Sequence, residues 1–131
     1  MKYKPMLAYP VSAKPIDYSK PVFIQPKLDG VRCLIQHNAG HIVAYSRTGK
    51  VWKNINHILY ELIPFFKKYP NVVLDGELYN HDFRDDFESI ISMVRKTKPT
   101  DEDRLISREN VQFHCYDIVN KRMKFSTRNK W

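Results

Sequence analysis

The sequence predicts an α+β fold with mainly antiparallel sheets and flanking helices. Three observations carry this: β-rich segments joined by short turns, two stretches with apolar residues at helical spacing, and no regular βαβ repeat. A length of 131 residues implies one domain. Residues 1–20, rich in Pro and Lys and without periodicity, read as an extended lead-in along the surface; residues 21–131 carry the fold.

Regular structure is expected from Pro21. Val22 to Ile24 and Val31 to Gln36 are β-rich and flank Lys27 to Gly30. His37-Asn38-Ala39-Gly40 is a turn signal and His41 to Ser46 the returning strand, a hairpin in which Val31, Cys33 and Ile35 share one face. Ile55, Ile58, Leu59, Leu62 and Ile63 recur at helical spacing, with Asn54 as N-cap and Pro64 bending or ending the helix. Val72-Val73-Leu74 reads as a buried strand entering an Asp-Gly turn at Asp75-Gly76. Phe87, Ile90, Ile91 and Val94 mark a second amphipathic helix with Asp82 as its cap, and Thr97 to Asp103 is polar loop. Val111 to Val119 is the last strand, with Phe113, Cys115 and Asp117 facing opposite to His114, Tyr116 and Ile118.

Twenty-two Lys and Arg against 14 Asp and Glu give a formal net charge of +8 and a pI near 9.5, which suits a polyanionic partner without choosing one. No apolar run approaches a membrane span, and prolines interrupt any targeting core at the N-terminus, so an intracellular location is expected. Cys33 and Cys115 lie on separate apolar segments, where buried thiols are commonplace, and two cysteines cannot make a structural zinc site alone. His37 and His41, the nearest approach to a histidine pair, are separated by a turn rather than by one helical revolution.

The run Lys27-Leu28-Asp29-Gly30-Val31-Arg32 carries the strongest chemical signal. A lysine amine attacks an electrophile only when neutral, which requires desolvation or a neighbouring cation. Pro26 and Leu28 are apolar neighbours, Gly30 permits close backbone approach, and Arg32 offers a planar guanidinium for phosphate. Asp-Gly alone is equally a hairpin turn.

Companion motifs decide. Lys27 to Arg32 resembles the Lys-x-Asp-Gly-x-Arg motif of ATP-dependent DNA ligases, a family of covalent nucleotidyltransferases. Ser46-Arg47-Thr48-Gly49, Leu74-Asp75-Gly76-Glu77-Leu78, Phe113-His114-Cys115-Tyr116-Asp117 and Phe125-Ser126-Thr127-Arg128 look like the segments that follow it, in order. The resemblance, to a small viral-type ligase, implies that Lys27 takes AMP from ATP and passes it to a DNA 5′-phosphate for nick sealing. It implies further that Arg32 and Arg47 hold anionic oxygens, that Glu77 contacts the ribose or Mg²⁺, that Tyr116 stacks on adenine and that Gln25 reads the adenine amino group. Nicked double-stranded DNA is the implied partner, met by Arg32 and by the basic run Arg95, Lys96 and Lys98; a solvated basic face is the alternative for that run. Lys121, Arg122, Lys124, Arg128 and Lys130 add to the basic character of the C-terminal stretch.

Ligases of this kind also use a later acidic strand motif, a Lys-x-Lys motif and an OB-fold domain, none of which is recognisable in the sequence. The expectation is therefore an incomplete adenylation domain, its N-terminal portion, completed by a C-terminal segment or a second chain. The lead-in leaves no room for the domain that recognises nicotinamide in NAD-dependent ligases, which favours ATP. An mRNA-capping guanylyltransferase, an RNA ligase and a non-catalytic nucleotide- or DNA-binding fragment are the competing readings.

Overall fold

A computed structural model describes residues 3–120 and 122–130, so Lys121 of the basic C-terminal stretch lies outside the described residues. β1 (Val31–Asn38) and β2 (His41–Tyr45) form the expected hairpin, in the register Asn38↔His41 and Ile35↔Ala44. Ala39 at φ 50° and Gly40 at φ 85° put two successive residues in the left-handed region. That is the geometry of the tight turn whose twist matches its strands. β1 also pairs with β3 (Val73–Tyr79), and β3 with β4 (Gln112–Ile118), giving one antiparallel sheet in the order β2-β1-β3-β4.

One face of this sheet builds the core. Cys33, Ile35, Leu74 and Leu78 meet Ile58, Phe66 and Val94, which come from the helices α1 (Asn56–Glu61), α2 (Ile63–Lys68) and α3 (Phe87–Val94). Val31 packs against the same cluster, so the shared face of Val31, Cys33 and Ile35 stands as expected. Ile35 and Leu78 are wholly buried; each such side chain contributes roughly 1.5–3 kcal/mol relative to exposure. Among the described residues no helix is long and apolar enough to cross a membrane.

Several local expectations are corrected. Regular structure begins at Val31, not Pro21: Val22, Phe23 and Ile24 are exposed and belong to no strand. Pro21 and Pro26 bracket them and bring no N–H to a ladder. The helix expected over Ile55 to Ile63 is two short helices, and Pro64 lies in the first turn of the second, where its missing N–H costs nothing. Asn54 is not a cap. It is buried, its Nδ2 donates to the Met93 carbonyl at 2.8 Å and the Asp103 carbonyl at 3.2 Å, and the Ser107 hydroxyl donates to its backbone oxygen. Asn54 thus ties the start of α1 to α3 and to α4 (Asp101–Asn110).

That fourth helix occupies sequence expected to open as polar loop. Only Ser107 of its residues is buried, so it lacks an apolar stripe; a capping box between Thr100 and Asp103 and an acidic first turn start it. Asp86, not Asp82, caps α3, accepting from the Ser89 N–H at 3.3 Å. Asp82 instead lies in a single 3-10 turn, His81–Phe83, capped by Asn80. Cys33 is buried as anticipated, whereas Cys115 is exposed on β4, and both thiols are free.

Asp75-Gly76 is no turn either: β3 runs straight through it, all seven of its residues buried. Gly76 is required for a different reason, since a Cβ there would overlap the His114 carbonyl and sit 2.8 Å from the Phe113 ring. Opposite it, β4 bulges: Asp75 pairs with Asp117 and Gly76 with Cys115, which leaves Tyr116 without a partner in the register. The bulge breaks the expected alternation, bringing Asp117 opposite Asp75 and Ile118 into the core. Gly76→Ala is expected to destabilise the fold by about 1–3 kcal/mol through overpacking, read as a lower denaturant midpoint with an unchanged slope. An unchanged midpoint would contradict the close approach of β4 at this point.

Candidate functional site

Away from the core, the sheet presents Arg32 from β1, Asp75 and Glu77 from β3 and Tyr116 from β4. Arg32 and Glu77 are directly opposed in the β1–β3 register, so strand pairing sets their spacing. Arg32 Nε and Nη2 donate to the two oxygens of Asp75 at 2.7 Å each, and Nη1 donates to the Met6 carbonyl at 3.3 Å. This parallel pair of charge-assisted bonds is the strongest polar contact on the face. The guanidinium carbon stands 5.5 Å from the centre of the Tyr116 ring, within cation–π range.

Glu77 is held from two sides. The Gly30 N–H donates to its Oε2 at 3.2 Å and the Tyr116 hydroxyl to its Oε1 at 3.2 Å. A Cβ on Gly30 would overlap the Leu78 carbonyl, so only glycine lets the lysine loop lie this close to β3. Burial pushes the Glu77 carboxyl above its ordinary value, while Tyr116, Gly30 and Arg32 pull it down and Asp75 adds to the rise. The Tyr116 hydroxyl is raised, chiefly by burial and then by Asp75. For Arg32, the bonds it donates to Asp75 strengthen the charged form and outweigh desolvation.

Gln25 joins this group, its Nε2 donating to the Tyr116 carbonyl at 3.0 Å. Lys27 follows two residues later, beside the face rather than within it. Its side chain is 91% exposed and its Nζ lies 3.2 Å from Asp29 Oδ1. The apolar shielding expected from Pro26 and Leu28 is absent, because Pro26 is exposed and Leu28 only partly covered.

Arg47 sits exposed in the turn after β2, which Ser46 closes by accepting the Gly49 N–H at its backbone oxygen and the Lys50 N–H at its hydroxyl; β2 borders β1, the strand that carries Arg32. Arg95, Lys96 and Lys98 are exposed where α3 runs towards α4, on the helical layer whose Val94 packs into the core. A second clamp is not among the residues expected from the sequence: Arg128 donates from Nε and Nη2 to Asp117 at 2.7 and 3.1 Å, beside the Asp75–Arg32 pair. The signal was the aromatic-Asp strand followed by Phe125-Ser126-Thr127-Arg128.

Among the described residues no group of three His, Cys, Asp or Glu is placed to hold a metal ion. Glu77 nevertheless uses only two of the roughly four acceptor positions of a carboxylate, so one carboxylate ligand is open to a cation otherwise held by phosphate oxygens.

The profile of the ATP dependent DNA ligase domain matches residues 5–129. A solved structure named Pmar-Lig_Pre. is similar at 26% identity with a TM-score of 0.59, over 79% of this chain and 24% of its own. Another, Pmar-Lig_PreS3, is similar at 28% identity with a TM-score of 0.53, over 71% of this chain and 20% of its own. The chain therefore spans about a quarter or less of the length of these structures. No curated protein registers as similar.

The raised carboxyl of Glu77 has a signed consequence. The folded chain keeps that proton to higher pH than the unfolded one, so the group's contribution to stability is complete below its ordinary value of 4.5 and declines as pH rises through the raised value. Denaturation of wild type and Glu77→Gln between about pH 4 and 7 should show the wild type losing stability relative to the variant as pH rises. Parallel curves would contradict this.

Proposed function

Because the chain belongs to the ATP dependent DNA ligase domain family, we propose that Lys27 is the nucleophile that accepts AMP from ATP on the way to sealing a DNA nick. The observation that carries this is the grouping of Arg32, Glu77, Tyr116 and Gln25 on one sheet face beside the Lys27 loop. In the proposed step the Lys27 Nζ loses a proton and bonds to the α-phosphorus, while the bond from that phosphorus to the bridging oxygen breaks and pyrophosphate leaves. Such in-line displacement depends on positioning and on neutralising oxygen charge.

Each residue has a matching task. Tyr116, with its ring already against a guanidinium, offers adenine a flat wall, and Gln25, anchored through its amide nitrogen, keeps its amide oxygen for the adenine amino group. Glu77 is assigned to the ribose hydroxyls or to Mg²⁺. That cation would supply neutralisation of phosphate charge. Arg32 retains N–H groups beyond those spent on Asp75 and Met6, enough for a phosphate oxygen or the nick.

DNA is the proposed substrate, with Arg95, Lys96 and Lys98 as phosphate contacts outside the nucleotide face, and Arg47 as an oxygen ligand offered from the turn after β2. The later steps of sealing are proposed only with an OB-fold clamp supplied in cis or by a second chain.

Incubation with labelled ATP or labelled GTP and Mg²⁺, followed by denaturing electrophoresis, tests the first step. Label from ATP is expected on the wild type and absent from Lys27→Ala. Label retained from GTP alone would replace the ligase reading with that of a capping guanylyltransferase.

A further inference from the structure

Residues 21–30 carry Lys27 yet form no strand, so a backbone ladder does not hold them. Side chains do. Phe23 meets Phe125 edge to face, with ring centres 5.3 Å apart and planes at 80°, the favoured arrangement for two aromatic rings. Gln25 reaches the Tyr116 carbonyl at 3.0 Å. Contacts at every second residue follow the period of an extended chain, and Lys27 is next in the series.

Phe125 opens α5 (Phe125–Arg128), only four residues long. A helix this short has no stability of its own. Its anchor is Arg128, which makes two bonds to Asp117 and a third, at 2.6 Å, to the Met123 carbonyl. The Arg128 and Asp117 side chains are 13% and 18% exposed, well covered for an ion pair. The same guanidinium lies 5.4 Å from the centre of the Phe125 ring, so anchor and ring form one unit.

We propose that Phe125 and Arg128 are positioning residues for Lys27: the Asp117–Arg128 clamp fixes the Phe125 ring, and the ring holds Phe23 and the lysine segment against β4. This rests on Lys27 being the adenylated residue. The clamp stands next to Asp75–Arg32 in the β3–β4 register, so one pair of facing aspartates ties both the nucleotide face and the lysine segment to the sheet.

Limited trypsin digestion reads the hold directly, by the rate of cleavage after Lys27 against the rate after Arg95 on the helical layer. Phe125→Ala is expected to speed cleavage after Lys27 about fivefold with the Arg95 site unchanged, because proteolysis follows the population of the opened segment. Phe125→Tyr, which keeps the ring, should restore the wild-type rate. If Phe125→Ala fails to fold, Phe23→Ala removes the same contact from its exposed side and decides in its place. An unchanged rate after Lys27, or an equal rise at both sites, overturns the proposal.

In ATP labelling, Phe125→Ala should lower the maximal rate of adenylation and leave the half-saturating ATP concentration in place. An equal maximal rate also overturns it. Absence of label from the wild type would count against the lysyl-AMP reading instead, and the digestion would still decide the positioning role.

Discussion

Everything on the functional face follows from two carboxylates placed on a buried strand. Asp75 and Glu77 project from β3, where all seven residues are buried. Burying a charge is unfavourable unless it is paired and hydrogen-bonded. The neighbouring strands therefore have to bring partners to fixed positions: Arg32 from β1, Tyr116 from β4 and the Gly30 N–H from the lysine loop. What looks like a preassembled site is, at the level of packing, the set of groups that makes this strand tolerable. Antiparallel registry supplies the precision, since Arg32 faces Glu77 and Asp117 faces Asp75.

The link from that constraint to chemistry runs through the loop before β1. Lys27 is exposed and, among the described residues, paired with Asp29, whereas Arg32, Glu77 and Tyr116 are covered at least in part and already bonded. In the proposed function, binding and reaction are thus divided between a hydrogen-bonded sheet face and a loop fastened by side chains. This division accounts for the two glycines that the structure crowds. Gly30 lets the loop touch β3 and Gly76 lets β4 approach it, so both Asp-Gly pairs serve close backbone approach rather than turns.

Much of this was legible in the sequence. The α+β class, the hairpin with its Ala39-Gly40 turn, the helix at Phe87–Val94 and the common face of Val31, Cys33 and Ile35 all follow from alternation or helical spacing. The fourth helix was hidden because it buries only Ser107, leaving its capping box and acidic first turn as signals without an apolar stripe. Asn54 and Asp82 misled because capping residues also serve as buried tethers and as parts of tight turns. Strand alternation placed Tyr116 opposite to Phe113 but failed for Asp117, since a bulge inserts one residue without a composition signal. The motif residues Gln25, Arg32, Glu77 and Tyr116 came together from distant positions. Arg95, Lys96 and Lys98 lie on the helical layer instead, because charge on an exposed segment carries no information about which face it will join.

A double-mutant cycle between Arg32 and Asp75, read by chemical denaturation at neutral pH, tests most directly whether paired charge on β3 organises the face. Arg32→Gln and Asp75→Asn should each destabilise the fold by about 2 kcal/mol or more, because each strands a partly buried charge. The double variant should cost clearly less than the sum of the two. Additive losses would mean that the two groups act independently, and the account of the face as a consequence of charge pairing would be wrong.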